Sequence, residues 1–417
     1  MKKVTITNAY TWYNKGDAGI LLGIVETLKI MYNKDVEIDI LSFTPEEDKI
    51  RYCEDSTIKN VYSNVLNPHP YKHTKIGKII AIIKLFFSMI YQMLMINLSK
   101  KILINKRKNY KSLSEADYIV VCGGGFLGGR KFDSFMHLFQ IYINSKFRKK
   151  VIMMGTSIEP ITNSVVKKIT EKILKKVDYI YAREVITYNY LKTFMPEDKI
   201  ELIPDMAFML DDLKNKLDYV DEWRKEFDVI YGITVRKWNF PEENNGYELF
   251  ENYKKELAKF IEYKAKKDNA LFVFVPQVIV EYGNDANVAK DIKDLLIDKF
   301  KNNFIVLEDD IHPNEVKQLI WNFDYFIGTR MHSNIFAISM GKPTIAIAYE
   351  KKTNGIMHTV EMDDYVIEMK SISAKKLIEL SEKQKNNKIV IEKHLNNKIK
   401  NIRKEIMKKI TKVMEEL

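Results

Sequence analysis

Arg330, His332 and Lys351 are the residues best suited to chemistry in this sequence, and they share one stretch, 324–355. The planar guanidinium of arginine binds carboxylates and phosphates through paired hydrogen bonds, and lysine adds a second positive charge. His332 places an imidazole beside these two cations. This cationic cluster predicts a site for a small anion that carries more than one negative charge.

The elements around this cluster explain how it would be presented. The pattern predicts a strand over 325–327, a helix from about Arg330 to Met340 with Thr329 as its cap, and a second buried strand over 344–348. In a doubly wound sheet, ligands bind outside the carboxyl ends of the strands. We therefore expect both loops to open onto one crevice, with the helix amino terminus adding to its anion affinity.

Two more arginines directly follow predicted strands. Arg183 comes after the strand 178–182, and Arg236 ends the strand 229–235. An arginine in this position either pairs with a neighbouring acid, such as Glu184, or binds a ligand at the sheet edge. Both are candidates for anion binding.

Loops in the first half carry glycines, acids and amides instead. Asn14 and Asp17 follow the first strand, and Asp17 either caps the next helix or faces the crevice. Gly124 and Gly125 belong to a glycine run that lets backbones approach closely, and Ser157 follows a later strand. The glycine spacing matches neither the dinucleotide fingerprint nor a P-loop, which excludes NAD and ATP. Arg130 and Lys131 lie just beyond the run and are surface or anion-binding residues.

Composition limits the classes of protein that remain. The chain has 417 residues, which favours two domains, and its 46% apolar and 12% aromatic content is that of a globular protein. Its net charge of +11 favours anions, but the charge is not gathered with stacking aromatics, so we expect no nucleic acid. Two distant cysteines predict reduced thiols and no metal site. The first residues lack the apolar core of a signal peptide, so we expect a cytoplasmic protein.

Strand and helix alternate in both halves of the chain. We predict an α/β protein with two doubly wound Rossmann-like domains facing a central cleft, the arrangement called GT-B. The first domain would span 1–210 on the acceptor side, the second 228–372 on the donor side, and helices would follow over 373–417.

The stretch 76–98 is strongly apolar and has lysines on both sides. Lys84 interrupts it, and the uncharged run that follows is shorter than the roughly 20 residues that a spanning helix requires. Two alternatives remain for this helix. It either lies on a membrane surface, with lysines against anionic lipid, or is buried within the first domain.

Several of these segments together resemble the polysaccharide pyruvyl transferases, and the resemblance runs in order along most of the chain. The first loop with Trp12 and Tyr13 departs from that family, and 60–110 aligns with nothing in it. The resemblance rests on Asn14, Gly16 and Asp17, the glycines Gly123 to Gly125, Gly155, Ser157, Ile158 and Pro160, Arg183, Asp205 and Ala207, Gly328, Arg330, Met331 and His332, Gly341 and Pro343, and Tyr349 and Lys351.

The resemblance implies a reaction in which the enolpyruvyl group of phosphoenolpyruvate becomes a ketal on a sugar. Phosphoenolpyruvate would be a co-substrate bound by Arg330, Lys351, Arg183 and Arg236, with no other cofactor and no metal. His332 would transfer protons, with Asp17 as the second candidate. Asn14, Gly124, Gly125 and Ser157 would line the acceptor side, and the acceptor would be a sugar or a lipid-linked oligosaccharide on the inner face of the membrane.

Two other functions remain open from the sequence. A nucleotide-sugar glycosyltransferase with the same architecture would use the acids of 308–315 on a ribose, although these acids are more typical of a helix amino terminus. A non-catalytic subunit of polysaccharide assembly would need none of the cationic cluster.

Overall fold

The computed structural model describes residues 1–67, 75–128, 133–280 and 283–416, so Arg130 and Lys131 lie outside the described residues. The chain forms two compact units. Unit 1 comprises Met1–Trp12, Ile20–Met209 and Glu405–Leu417, and unit 2 comprises Tyr13–Gly19 and Leu210–Lys404. The short segment Tyr13–Gly19 therefore groups with the second unit, although it lies early in the sequence.

Unit 1 is built on a parallel sheet of seven described strands in the order β3-β2-β1-β4-β5-β6-β7. These strands form because their apolar runs are buried on both faces, as parallel sheets require. The strands are β1 (Lys2–Ala9), β2 (Val36–Ser42), β3 (Ile58–Ser63), β4 (Tyr118–Leu127), β5 (Lys150–Ile158), β6 (Tyr179–Ala182) and β7 (Ile200–Leu202).

Helices connect these strands. They are α1 (Lys15–Met31), α2 (Pro45–Tyr52), α3 (Lys75–Leu98), α4 (Lys100–Lys106), α5 (Lys108–Glu115), α6 (Asp133–Asn144), α7 (Ser164–Leu174) and α8 (Val185–Lys192). Within α3, the window Ile79–Leu98 is long and apolar enough to cross a membrane by length and composition, and only 11% of it is buried. The structure therefore contradicts the alternative in which this helix is buried within the first domain.

The predicted glycine run lies inside β4. A Cβ atom on Gly123 would lie 2.1 Å from the carbonyl oxygen of Met154 on the neighbouring strand β5. Since no side chain tolerates that distance, the first glycine of the run serves strand packing.

Unit 2 has a parallel sheet of six described strands in the order β10-β9-β8-β11-β12-β13. The elements are α9 (Asp218–Glu226), β8 (Val229–Thr234), α10 (Gly246–Asp268), β9 (Ala270–Phe274), α11 (Asp285–Leu295), β10 (Phe304–Val306), α12 (Pro313–Trp321), β11 (Tyr325–Gly328), α13 (Met331–Ser339), β12 (Thr344–Ala348), α14 (Lys351–Thr359), β13 (Val366–Glu368) and α15 (Ala374–Glu416).

Both sheets reverse their strand order at one place, between β1 and β4 in unit 1 and between β8 and β11 in unit 2. The predicted pair of doubly wound Rossmann-like domains is thus confirmed. Each reversal leaves a crevice at the carboxyl ends of the two central strands, because the connecting helices run to opposite sides. A ligand is therefore expected to bind at these two switch points.

Two local predictions were wrong. The helix α13 is capped by Arg330, since the Thr329 side chain is buried and its hydroxyl lies 2.7 Å from the hydroxyl of Tyr253. The C-terminal helices form one continuous helix, α15, because 374–416 contains no glycine or proline to interrupt it.

Candidate active site

Arg236 and Arg330 lie at the switch point of unit 2. Thr234 of β8 pairs with Gly328 of β11, so the two arginines follow the ends of adjacent strands. The Arg236 guanidinium lies over the rings of Tyr349 and Trp238, 4.2 and 5.0 Å from their centroids. Burial lowers the pKa of Arg236, and the nearby charge of Arg330 lowers it further. Two like charges held this close predict a place for an anion.

Asp285 orients one of these arginines. The Nε and Nη2 groups of Arg330 donate to its two carboxylate oxygens at 2.9 and 2.5 Å. Burial raises the pKa of Asp285, and the charge of Arg330 opposes that shift. Asp285 is 1% exposed, whereas the Arg330 side chain is 19% exposed. The pair therefore fixes the guanidinium plane and leaves part of it accessible.

Sequence reasoning missed Asp285. It is the first residue of α11, and its backbone N–H donates to the carbonyl of Val278. An acid in the first helical turn is ordinarily explained by the helix dipole, so the sequence held no separate signal for it.

Lys351 follows β12, the strand beside β11, and begins α14. Its side chain is exposed. It thus adds a solvent-facing cation at the carboxyl edge of the same sheet, and its binding of the donor stays a prediction.

His332 is the second residue of α13, and it packs against Gly16 at the start of α1. A Cβ atom on Gly16 would lie 2.2 Å from the Nδ1 atom of His332. The imidazole is half-buried. Only glycine allows this approach, so two widely separated parts of the chain that carry candidate residues meet here.

The segment Tyr13–Gly19 is held in unit 2 by backbone bonds. Asn14 forms an antiparallel bridge with Val278, and the N–H of Lys15 donates to Gln277 at 2.8 Å. Lys15 is fully buried and forms an ion pair with Asp310, which follows β10. Neither Lys15 nor Asp310 was predicted from the sequence to have this role.

The candidates Asn14 and Asp17 lie in this same segment. The Asn14 amide donates to the Asp17 carboxylate at 2.6 Å, and its oxygen accepts from the N–H of Gly16 at 3.1 Å. Helix capping was one interpretation of Asp17. In the structure, the Asn14 side chain accepts the hydrogen bond at the amino terminus of α1. Asp17 is the next residue in the sequence after the glycine that contacts His332, and Asn14 holds its carboxylate.

The acids of 308–315 separate into different roles. Glu315 and His312 form a capping box at the start of α12, with the His312 N–H donating to Glu315 at 2.8 Å. The predicted helix capping is confirmed for Glu315. Glu308 pairs with Lys290, so these acids hold helices and loops in place.

In unit 1, Arg183 lies between two partners. Its Nε donates to the hydroxyl of Ser157 at 2.6 Å, and its Nη1 donates to Asp205 at 2.8 Å. The Arg183 side chain is 7% exposed and Asp205 is 1% exposed. Two predicted residues, Arg183 and Ser157, are therefore brought together, but the charge of Arg183 is already balanced inside the unit. Its binding of the donor stays a prediction.

The switch point of unit 1 contains a histidine that the sequence did not reveal. His137 on α6 stacks on Phe126 at 3.9 Å between ring centroids, and the side-chain amide of Asn8 lies 3.0 Å from its Nδ1. Burial lowers the pKa of His137 to about 3, so the imidazole is neutral at physiological pH. Its Nε2 is buried and has no hydrogen-bond partner among the described residues.

Gly124 lies beside this group, within β4, and is in the left-handed region with a φ of 149°. Gly125 follows it in the same strand and is half-buried. The acceptor role of both glycines stays a prediction.

Comparison with known proteins relates this geometry to a family. The chain is 23% identical over 390 residues to the amylovoran biosynthesis protein AmsJ of Erwinia amylovora, covering 89% of each chain. Its fold is similar to that of UDP-GlcNAc 2-epimerase from Methanocaldococcus jannaschii, with a TM-score of 0.56, 14% identity and 92% of each chain covered.

A second solved structure with a similar fold is Alr3699/HepE from Anabaena, in complex with UDP and glucose, with a TM-score of 0.56, 12% identity and 100% of each chain covered. The UDP-GlcNAc 2-epimerases have the GT-B fold, so the predicted fold class is confirmed over nearly the whole chain. The family model for polysaccharide pyruvyl transferases matches residues 14–351, a range that begins at Asn14 and ends at Lys351. The chain belongs to the polysaccharide pyruvyl transferase family.

Proposed function

We propose that this protein transfers the enolpyruvyl group of phosphoenolpyruvate to a sugar of a cell-surface polysaccharide, or of its lipid-linked precursor, as a ketal. The observation that carries the proposal is the pair Arg236 and Arg330 at the switch point of unit 2, in a chain of this family. Phosphoenolpyruvate has a carboxylate and a phosphate. Among the described residues, Asp285 pairs with Arg330, and Arg236 forms no salt bridge although Asp285 and Glu350 lie near it, so part of the guanidinium charge is available to such a ligand.

The side chains divide the binding task. Asp285 orients the Arg330 fork toward a planar carboxylate or a phosphate, and the aromatic rings under Arg236 hold its guanidinium in one plane. The exposed Lys351 supplies a mobile charge for the phosphate as it leaves. Charge that develops in the transition state is thereby met by groups already in place.

The chemical steps conserve atoms and charge. A proton adds to the methylene carbon, and the neighbouring carbon becomes electron-deficient. A sugar hydroxyl attacks that carbon, forming a carbon–oxygen bond and releasing its proton. The bond from carbon to the phosphate oxygen then breaks, and a second sugar hydroxyl closes the ketal. One hydroxyl proton replaces the proton consumed at the methylene carbon, and the other leaves with phosphate.

His332 is the group that we assign to proton transfer, with Asp17 as the alternative. The half-buried imidazole lies at the amino end of α13, two residues after Arg330. Its contact with Gly16 sets the ring position, and Asn14 holds Asp17 beside that contact. A proton donor next to the anion site can reach the methylene carbon of a ligand bound by Arg330.

The cellular setting is also a proposal. AmsJ is named for amylovoran biosynthesis, and we extend that setting to a role in exopolysaccharide synthesis. We place the protein in the cytoplasm at the inner face of the membrane, and the exposed apolar helix α3 supports the membrane contact. A lipid-linked acceptor would be presented at that surface.

A nucleotide-sugar enzyme is the alternative, because the similar solved structures include UDP-GlcNAc 2-epimerases and a complex with UDP and glucose. Titration calorimetry separates the two functions. We expect phosphoenolpyruvate to bind and UDP- and GDP-sugars not to bind. Tight binding of a nucleotide sugar without binding of phosphoenolpyruvate would overturn the proposal.

The activity itself is tested with isotopically labelled phosphoenolpyruvate and a panel of glycosides and lipid-linked sugars. We expect phosphate release that depends on the acceptor, together with an acid-labile label on the sugar. Binding of phosphoenolpyruvate without turnover on any acceptor would favour a non-catalytic subunit of polysaccharide assembly.

A further inference from the structure

Residues 56–114 contain eleven lysines and arginines and no aspartate or glutamate. The segment includes β3 and the helices α3, α4 and α5 of unit 1. The whole chain has 56 acidic and 67 basic residues, so all of the acidic residues lie outside this segment. A local charge of one sign predicts a partner of the opposite sign.

Helix α3 has a long exposed apolar face, and its opposite face packs on the core of unit 1 through Ile96, Leu85 and Met89. Toward the core of unit 1 it presents Gln92, whose amide donates to the carbonyl of Val65 at 2.9 Å and whose oxygen accepts from the Tyr110 hydroxyl at 2.7 Å. The window Ile79–Leu98 has a mean hydropathy of 2.1. Its large exposed side chains are Ile79, Ile80, Ile82, Ile83, Phe86, Phe87, Ile90, Tyr91, Met93, Leu94 and Leu98.

Such a face is unfavourable in water, because exposed large apolar side chains forgo the free energy that burial would give. Single exposed side chains are normal, but a continuous stripe along one helix indicates a surface that something else covers. A second copy of the chain would bring two acid-free, cationic segments together. An anionic bilayer surface removes the apolar side chains from water and matches the charge.

A cavity of about 430 Å³ opens beside this helix. Leu85 and Ser88 of α3 line one side, and Arg107 and Lys108, where α4 meets α5, line another. Both basic side chains are accessible, Arg107 being half-buried and Lys108 exposed. The cavity therefore joins two positive charges to the flank of an apolar helix.

Asn64 also lines this cavity. It is 2% exposed, and its Nδ2 is buried with no hydrogen-bond partner in the part of the chain that the structure describes. Its Oδ1 accepts from the backbone N–H of Asn8, which fixes the amide. Asn67 also lines the cavity, and its Oδ1 is a buried acceptor without a partner among the described residues. A buried donor without a hydrogen-bond partner destabilises the protein, and a ligand oxygen that accepts from it would remove that cost.

We infer that this cavity binds the phosphate of a membrane lipid while the apolar face of α3 lies in the bilayer interface. Arg107, Lys108 and Asn64 meet the phosphate oxygens, and Asn67 accepts from a hydroxyl of the head group. The lipid chains run along α3. The helix does not cross the bilayer, because its inner face is bound to unit 1 through Gln92 and Lys84 interrupts its length.

This inference deepens the proposed function by bringing unit 1 to the membrane that would present a lipid-linked acceptor, and only this link to the acceptor rests on the proposed function. Lipid binding is measured without catalysis, so failure of one is distinguishable from failure of the other. Transfer to a water-soluble glycoside should be unaffected by changes in this cavity.

The test is flotation of the full chain with vesicles of phosphatidylcholine alone or mixed with phosphatidylglycerol. We expect stronger binding to the anionic vesicles, and the double variant Arg107→Gln, Lys108→Gln should weaken it about tenfold or more. Phe86→Asp with Phe87→Asp should abolish binding to both vesicle types. The matched control is Lys168→Gln with Lys172→Gln, exposed lysines on α7, which should bind like wild type.

Four outcomes would overturn the inference. Equal loss in the α7 control would indicate general charge attraction. Inorganic phosphate binding that depends on Arg107, without vesicle binding, would make the cavity a site for a soluble anion. A dimer in solution that Phe86→Asp with Phe87→Asp dissociates, without vesicle binding, would make α3 a protein interface. Binding to neutral vesicles that resists alkaline carbonate would indicate insertion across the bilayer.

Discussion

The two sheets reverse their strand order in the same way, yet the described side chains at the two switch points differ in charge. In unit 2 the crevice holds Arg236 and Arg330, and Asp285 forms the salt bridge with Arg330. In unit 1 the corresponding crevice holds a neutral imidazole, His137, stacked on Phe126, and Arg183, a candidate cation among the described residues of that sheet, is paired with Asp205. Topology sets where a ligand can bind, and the side chains set which ligand binds.

The comparison predicts a division between the two sites. The unit 2 crevice suits an anion such as phosphoenolpyruvate. The unit 1 crevice, with aromatic faces and amide groups, suits an uncharged polar ligand such as a sugar. Changes in unit 2 should therefore act on donor binding and chemistry, and changes in unit 1 should act on the acceptor or on stability.

The largest effect is expected from His332→Ala. Turnover should fall about a hundredfold or more, the usual loss when a general acid or base is removed, while phosphoenolpyruvate still binds. The measurements are kcat and calorimetric Kd. The control is His358→Ala, an exposed histidine on α14 that should behave like wild type.

His332→Gln separates proton transfer from hydrogen bonding. If this variant matches wild type at every pH, His332 is structural, and Asp17→Asn becomes the next variant to test.

Arg330→Lys should have the second-largest effect, because lysine keeps the charge but loses the planar fork that Asp285 orients. We expect KM for phosphoenolpyruvate to rise about thirtyfold, the scale of a lost charge-assisted hydrogen bond, with a smaller fall in kcat. Arg224→Lys, in a partly exposed pair with Asp324, is the control.

Arg183→Lys sharpens the comparison between the two units. Because Arg183 is buried against Ser157 and Asp205, the variant should lower the melting temperature and leave KM for phosphoenolpyruvate near its original value. An equal rise in KM for both variants, without loss of stability, would show that Arg183 binds the donor as the sequence predicted.

Gly16→Ala tests the contact between Gly16 and His332 within unit 2. The new methyl group would overlap the His332 ring, so we expect destabilisation of about 1–3 kcal/mol and reduced kcat. Gly355→Ala is the matched control, because a Cβ atom there has nothing within 4 Å. The free energy of unfolding is measured by chemical denaturation. A fully stable and active Gly16→Ala protein would contradict the assigned packing.

The smallest effect concerns His137 and pH. Its folded-state pKa of about 3 lies below the ordinary value, so the unfolded chain binds a proton that the folded chain does not. The free energy of unfolding should therefore decrease as the pH is lowered below about 6.5. His137 should account for about 1 kcal/mol of that decrease between about pH 7 and pH 5.5. His137→Phe should show a shallower dependence, and the exposed-site variant His358→Gln should not. Identical slopes in wild type and His137→Phe would contradict a buried neutral imidazole.

The sequence alone determined the fold class and the cationic half of the site. Buried runs that alternate with amphipathic helices specify parallel sheets, and a residue directly after such a run must lie at the carboxyl edge. Arg236, Arg330 and Lys351 could therefore be placed without coordinates. Gly341 and the pattern before it marked the end of α13 within one or two residues.

Only the tertiary structure decided which groups meet. Asp285 with Arg330, Gly16 with His332 and Lys15 with Asp310 are each far apart in sequence, and no local pattern encodes such pairs. The same limit explains His137, whose neutrality comes from burial by Phe126 and neighbouring rings. It also explains α3, because composition shows that a helix is apolar but packing alone decides which face the protein covers.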